Sequence, residues 1–279
     1  MRAGVDTGGT FTDVVFEDGR IAKVLSRPDD PAAAVAAGLD GMELDVLAHG
    51  TTVATNALLE RRGATVGLIT DAGFEDVIEI GRQNRPSLYD PFVDRPEPLV
   101  PRDRRISAGT ALPNGVDAVA VCLLHADRDP SRERTVAAAL GDGVDVTCSH
   151  EVSPEFREYE RTSTTVINAY LRPTCRAYLR RLAPLAGEVL VMTSAGGLVP
   201  LDDGADRPVA LLLSGPAAGV LAGAAAAVAA GFPDAVTFDM GGTSTDVCLV
   251  TRGRPAPAAE RAVGGLPVRL PSLDVHTIG

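Results

Sequence analysis

The chain has 279 residues, 45% of them hydrophobic and 23% charged, with a formal net charge of −11. So acidic a surface argues against nucleic acid or an anionic membrane as a general partner, and no apolar stretch reaches the ~20 residues that a bilayer span needs. Lys23 is the one lysine, which excludes a G-x-x-x-x-G-K-[ST] phosphate loop, and four scattered cysteines (Cys122, Cys148, Cys175, Cys248) offer neither zinc spacing nor a disulfide framework.

From the N-terminus, a short apolar run (residues 3–5) leads into Asp6-Thr7-Gly8-Gly9-Thr10-Phe11-Thr12-Asp13-Val14. A second apolar run reaches Phe16, and a Gly19-Arg20 turn follows. Apolar run, glycine turn, apolar run predicts a β-hairpin. Residues 46–48 are predicted as a strand, 49–52 as a turn, and 53–61 as a helix capped by a threonine and ending near Gly63. A strand is expected at 65–69. Residues 82–105, rich in Pro, Arg and Asp, are expected to form a long exposed loop. The uninterrupted apolar run 116–124 has the character of a buried parallel strand. A helix over 131–140 with Ser131 as cap and a strand at 144–147 come next.

Residues 158–182 are predicted helical with an interruption at Arg172-Pro173, and 189–192 form a strand leading to Ser194-Ala195-Gly196-Gly197. Ser214-Gly215-Pro216-Ala217-Ala218-Gly219 opens an Ala-rich helix that runs to about Ala230. The first motif then recurs as Asp239-Met240-Gly241-Gly242-Thr243-Ser244-Thr245-Asp246-Val247, differing at its second and sixth positions and again followed by a Gly-Arg turn at Gly253-Arg254. Alternation of this kind implies an α/β fold with a mostly parallel sheet. No basic start followed by an apolar segment marks a signal peptide, so a cytoplasmic location is expected.

A hairpin tip made of two glycines leaves backbone N–H groups uncovered, able to converge on a phosphate oxygen. Thr7, Gly8, Gly9 and Thr10 are therefore candidate nucleotide-binding residues, as are Gly241, Gly242 and Thr243 in the second copy. Asp6 and Asp239 end strands and cannot bind phosphate themselves, since both are negative. Their expected partner is Mg²⁺, held directly or through water and bridging to the phosphates of ATP. Asp13 and Asp246 are candidates for a base or for anchors behind the metal's ligands, and with Asp6 and Asp239 they make up the candidate catalytic set. Such a scheme suits phosphoryl transfer, where catalysis is mostly electrostatic. A tight turn used twice for its own sake would need the glycines, but not the Asp before them or the Thr-x-Thr-Asp after.

His49 lies beside Thr51, Thr52 and Asn56 at a predicted strand-to-helix turn. It reads either as a substrate or phosphate contact from a helix N-terminus or as part of a plain capping turn. Asp274 and His276, two residues apart, are a candidate metal-ligand pair of a type zinc accepts, with a structural role as the alternative. His125 and His150 have no local constellation.

Taken together, these segments resemble the actin, hexokinase and heat-shock-chaperone ATPase superfamily, whose fold is the actin-like ATPase (ribonuclease H-like) α/β fold. Within it the chain is similar to the hydantoinase A / 5-oxoprolinase family over nearly its whole length. The resemblance is carried by residues 4–13, by His49-Gly50-Thr51-Thr52-Val53-Ala54-Thr55-Asn56, by Arg157-Glu158-Tyr159-Glu160-Arg161-Thr162-Ser163, by residues 214–219 and 239–246, and by the final segment 273–279. It implies an ATP-dependent hydrolase that phosphorylates a cyclic amide or related carbonyl, so that water can open the ring. It also implies Mg²⁺, a B-type hydantoinase subunit as partner, possible oligomers, and no role for nucleic acid or membrane.

The same resemblance makes Glu158 and Arg161 candidates for a substrate-facing strip, against the alternative of a solvated helix face. It divides the chain into an N-terminal lobe (1–230, with an inserted subdomain at about 70–213 and a connecting helix at about 214–230) and the start of a second lobe (231–279). There are departures from the family. The carboxylate that the chaperones carry before the connecting-helix proline is Gly215 here, the region 109–115 is shortened, and family members continue beyond the segment matching 273–279. The chain is thus read as C-terminally truncated, holding the first lobe and the opening hairpins of the second. Two other readings stay open: an acetone-carboxylase-type β subunit or small-molecule kinase on the same fold, and a non-catalytic nucleotide-binding remnant.

Overall fold

A computed structural model describes residues 1–240 and 245–278. The strands in chain order are β1 (Arg2–Thr7), β2 (Phe11–Phe16), β3 (Ile21–Leu25), β4 (Val46–Thr51), β5 (Val66–Thr70), β6 (Arg105–Ser107), β7 (Ala118–Cys122), β8 (Asp145–Cys148), β9 (Glu188–Met192), β10 (Leu198–Pro200), β11 (Ala235–Met240), β12 (Thr245–Thr251), β13 (Arg254–Pro255), β14 (Pro257–Ala258), β15 (Arg261–Val263), β16 (Leu266–Val268), β17 (Ser272–Leu273) and β18 (His276–Ile278). The α-helices are α1 (Pro31–Leu39), α2 (Val53–Leu59), α3 (Val77–Ile80), α4 (Ser131–Leu140), α5 (Ser149–Val152), α6 (Glu158–Arg180), α7 (Leu201–Asp206) and α8 (Ser214–Ala229). Among the described residues no helix is long and apolar enough to cross a membrane.

Packing divides the chain into two units. One holds Met1–Asn56, Cys175–Glu260 and Pro271–Gly279; the other holds Ala57–Thr174 and Arg261–Leu270. The lobes expected from sequence, 1–230 and 231–279, divide the chain by a different criterion, and strands β11 to β14 fall in the same packing unit as β1 to β4.

The first unit is built on a six-stranded sheet of order β10-β9-β4-β1-β2-β3. The hairpin pairs β1–β2 and β2–β3 are antiparallel, while β4 lies parallel to both β1 and β9. Period-two patterning explains which face is buried. Ala3, Val5 and Thr7 of β1, with Thr12, Val14 and Phe16 of β2, point into the core, so Asp6 and Asp13 are left on the opposite face. Helix α1 covers this hairpin closely enough that a methyl at Gly38 would lie 2.7 Å from Val14 Cγ2. A second sheet pairs β11 with β12, and β12 in turn with β13 and β18.

Strand β4 runs on through Thr51, where a turn was expected at 49–52. Parallel pairing extends β4, with Val5 opposite His49, Asp6 opposite Gly50 and Thr7 opposite Thr51. Helix α2 then ends at Leu59, two residues short of expectation.

The second unit contains a four-stranded, all-parallel sheet of order β6-β5-β7-β8. Its β5 and β7 are buried along their whole lengths, as expected of apolar runs between covered faces. Arg105 ends the expected loop early: it begins β6, and its buried side chain donates to the Val100 carbonyl and pairs with Glu79 at 2.6 Å.

Helix α6 is continuous, in contrast to the expected break at Arg172-Pro173. Proline removes one i→i−4 hydrogen bond. Flanking burial of Ile167, Leu171, Cys175 and Leu179 nevertheless holds the helix together across that gap.

Candidate functional site

In the first hairpin Asp6 stands directly opposite Asp13, and Thr7 opposite Thr12. The tip is closed by the Gly8 N–H donating to the Phe11 carbonyl at 3.0 Å. Ser26, which carried no signal in the sequence, pins this tip from the end of β3. Its hydroxyl donates to the Gly8 carbonyl at 2.7 Å, and its N–H donates to the Thr10 carbonyl at 2.9 Å. Gly9 and Thr10 are exposed, and among the described residues their amides take no protein acceptor. The loop is thus held by its carbonyls, with two N–H groups left outward, as an anion site requires.

The second hairpin repeats the register: Asp239 faces Asp246 and Met240 faces Thr245. Gly241, Gly242 and Thr243, the other expected phosphate contacts, lie outside the described residues. The two copies also hold their final aspartate alike. Asp13 meets Lys23 Nζ from β3 at 2.6 Å, and Asp246 accepts from Thr277 Oγ1 of β18 at 2.6 Å. Each partner stands directly across from its aspartate on the neighbouring strand. Both carboxylates are therefore anchored, one by a cation and one by a hydroxyl.

Helix α8 and the end of β4 complete the surroundings. Thr52 donates its hydroxyl to the Thr7 carbonyl at 3.1 Å, and Ser214 donates to the Thr51 carbonyl at 3.3 Å. The Leu213 N–H donates to Thr55 Oγ1 at 2.9 Å. Asp6 keeps an open face to solvent, while protein packed behind it, and secondarily the charge of Asp13, raises its pKa above the ordinary carboxylate value.

The Asp6 carboxylate stands in a cradle without side chains. A methyl at Gly50 would lie 3.0 Å from Asp6 Oδ1, and one at Gly215 would lie 3.8 Å from the same atom. One helical turn on, a methyl at Gly219 would be 3.9 Å from Asp239 Oδ2. Such room fits Mg²⁺, which keeps several waters and binds through one or two carboxylates plus phosphate oxygens. Neither aspartate belongs to a group of three ligating side chains among the described residues. A cation there would fill its shell with phosphate and water.

The remaining candidates do not share one role. His49 is wholly buried, with Nε2 2.6 Å from the Tyr178 hydroxyl. It packs the sheet and offers nothing to a substrate, contrary to expectation. Thr51 is also buried and caps α2 by accepting from the Val53 N–H at 3.1 Å, whereas Asn56 is exposed and reaches Thr52 Oγ1 at 3.4 Å.

Arg161 is 1% exposed and committed to Asp127 at 3.0 Å and to the Glu155 and Leu123 carbonyls, so it is neither a substrate contact nor part of a solvated face. Glu158 is half-buried at the start of α6. Asp274 and His276 form an exposed pair at 3.5 Å with no third ligand among the described residues.

One cluster went unseen in the sequence. Glu133, Cys148 and His150 bring three ligand atoms within 4.8 Å of one another. The Glu133 carboxylate already accepts from the Leu123 N–H, the Ser149 hydroxyl and the His150 N–H, and lies 2.7 Å from His150 Nδ1. Atoms bonded this closely leave no space for a cation between them, so the cluster is a structural hub.

Burial of His49 has a measurable consequence. Loss of solvent pulls its pKa down to about 4 from 6.5, so the ring is neutral in the folded chain. A histidine with a depressed folded pKa stabilises fully above its unfolded value and loses that contribution as pH falls from about 6.5 towards 4. Between pH 7.5 and 5 the loss should be about 2 kcal/mol in urea unfolding. His49→Gln should flatten this pH dependence; an unchanged slope would contradict the burial.

Comparison with known proteins agrees with this geometry. Residues 2–113 match the family model described as Hydantoinase/oxoprolinase N-terminal region, and residues 161–279 match Hydantoinase/oxoprolinase. Caprolactamase subunit alpha of Pseudomonas jessenii is 35% identical over an alignment of 330 residues, which takes in 100% of this chain and 47% of that protein. The 5-oxoprolinase of Saccharomyces cerevisiae is 30% identical and aligns over 100% of this chain and 28% of its own length.

Among solved structures, ATP-dependent caprolactamase from Pseudomonas jessenii has a TM-score of 0.82 at 34% identity, covering 100% of this chain and 48% of that one. Nucleotide-free acetone carboxylase also has a TM-score of 0.82, at 25% identity, with 100% and 48% covered. The fold is the actin-like ATPase type. The chain spans about half the length of the caprolactamase subunit it matches.

Proposed function

The chain belongs to the hydantoinase/oxoprolinase family, and from that premise we propose that it is the nucleotide-binding part of an ATP-dependent hydrolase acting on a cyclic amide or related carbonyl. The observation that carries this reading is the doubled hairpin, with Asp6 opposite Asp13 and Asp239 opposite Asp246 in identical register. The ATP dependence in the printed names of the caprolactamase and acetone carboxylase neighbours supports it.

In this reading the Gly9 and Thr10 amides bind the phosphate tail, and Gly241, Gly242 and Thr243 do the same from the second hairpin. Asp6 and Asp239 hold Mg²⁺, which supplies charge neutralisation on the phosphates as they react. Asp13 and Asp246, anchored by Lys23 and Thr277, stiffen the two hairpins so that the leading aspartates keep their aim. The γ-phosphoryl group passes to the amide oxygen and ADP departs. Water then attacks the activated carbon, the C–N bond breaks with protonation of nitrogen, and phosphate leaves. A B-type hydantoinase subunit is the proposed partner, bringing the substrate side of the chemistry. The location proposed is cytoplasmic.

A second reading, a carboxylase subunit, is favoured by the acetone carboxylase likeness. The two readings separate in one assay. The chain with a B-type subunit is given cyclic amides or ketones, and ADP release is followed with and without bicarbonate. Amide-dependent ADP release without bicarbonate supports the hydrolase. Release that needs both a ketone and bicarbonate would replace it with the carboxylase, and no substrate-dependent release at all would remove both.

A further inference from the structure

Helix α8 carries three glycines at four-residue spacing, Gly215, Gly219 and Gly223, and they are not equivalent. A methyl at Gly223 would meet Thr237 Cγ2 at 2.8 Å, so close packing on β11 explains that residue. Nothing comparable explains the other two. The single heavy atom within 4 Å of a methyl at Gly215 is Asp6 Oδ1, at 3.8 Å, and the single one at Gly219 is Asp239 Oδ2, at 3.9 Å. Both distances are ordinary van der Waals contact. Neither glycine has the positive φ that would exclude alanine.

Glycine is the poorest helix former after proline, and the whole α8 segment is otherwise rich in alanine. Two helix-weakening residues thus stand where alanine would fit, and each looks onto the oxygen of one motif aspartate. Gly50 closes the same space from β4, 3.0 Å from Asp6 Oδ1 in the same sense.

We propose that Gly215 and Gly219 are positioning residues that keep clear the volume between α8 and the two aspartates for the water shell of a bound Mg²⁺–nucleotide. This rests on the nucleotide-binding reading above and extends it to residues with no polar side chain of their own. A methyl at either site clashes with no protein atom. It occupies the place of a metal-bound water, and Mg²⁺ gives up its waters reluctantly.

The proposal predicts effects of opposite sign. The Gly215→Ala, Gly219→Ala double variant should melt about 2–8 °C higher than wild type without ligand, because alanine favours the helix. Its dissociation constant for Mg-ATP, measured by calorimetry, should rise at least about tenfold, roughly 1.4 kcal/mol. Nucleotide binding in EDTA should differ little between the two proteins. Gly223→Ala is the contrast: it should lower the melting temperature.

A double variant that binds Mg-ATP as tightly as wild type overturns the inference while leaving the nucleotide-binding reading intact. A double variant that melts lower than wild type also overturns it, because the glycines would then serve packing. A wild-type chain with no Mg²⁺-dependent binding sinks the parent reading and this one with it.

Discussion

Asp6→Asn should weaken Mg-ATP binding about a hundredfold, roughly 2.7 kcal/mol, while leaving the ligand-free chain no less stable than wild type. The first effect follows from charge. Asparagine keeps the shape of the side chain but removes the anion that would draw Mg²⁺ towards the phosphates. The second follows from the raised pKa of Asp6, caused first by desolvation and then by Asp13. An acid with a raised folded pKa contributes stability below its unfolded value and loses it as pH rises through the folded one. At neutral pH an ionised Asp6 therefore works against folding, and its neutral isostere relieves that cost. Stability given up at one carboxylate for the sake of binding is the usual signature of a functional group. Titration with a fluorescent ATP analogue and thermal melts of the free protein measure the two halves separately. Unchanged affinity would remove Asp6 from the metal's ligands.

The second large effect lies away from the hairpins. Glu133 is completely buried at the first turn of α4, and its carboxylate gathers donors from the end of β7 and the start of α5. Glu133→Gln replaces one acceptor oxygen with an NH₂ group facing donors. It should destabilise the chain by about 3 kcal/mol, since buried donors left unpaired lose their full desolvation cost. Urea unfolding followed by far-UV circular dichroism is the suitable probe, as the chain has no tryptophan. Glu151→Gln, at an exposed neighbour, should change stability by less than about 0.5 kcal/mol. Equal effects for both variants would show that the hub carries no special load.

The hairpins were legible because their information is local: a motif of nine residues states the turn, the flanking strands and the repeat together. Even the Gly19-Arg20 and Gly253-Arg254 turns land between strands as expected. What failed to show in the sequence depends on pairing between distant segments. Gly50 resembles turn punctuation, yet it lies inside β4, where the Asp6 side chain passes across the parallel neighbour.

His49 carried the chemistry of a site residue, but the alternation of β4 turns it inward with Leu47 and Thr51. Arg161 was read as a partner for substrate because of its neighbours in sequence. Its actual partners, Asp127 and the Leu123 carbonyl, lie a whole strand–helix excursion away. Pro173 marks a break by local rules, and burial on both sides overrides it.

The third strand of the second repeat shows the same limit. In the first copy β3 follows β2 at once. In the second, the strand that meets Asp246 is β18, reached only after residues 256–275 have left and returned. No local pattern announces that Thr277 will do for Asp246 what Lys23 does for Asp13.

Isothermal calorimetry of the 279-residue chain with ATP, in the presence of Mg²⁺ and again in EDTA, tests the central claim most directly. The doubled hairpin predicts saturable binding of one nucleotide per chain that weakens at least about tenfold, roughly 1.4 kcal/mol, when the metal is removed. No heat of binding in either condition, or equal binding in both, would contradict it.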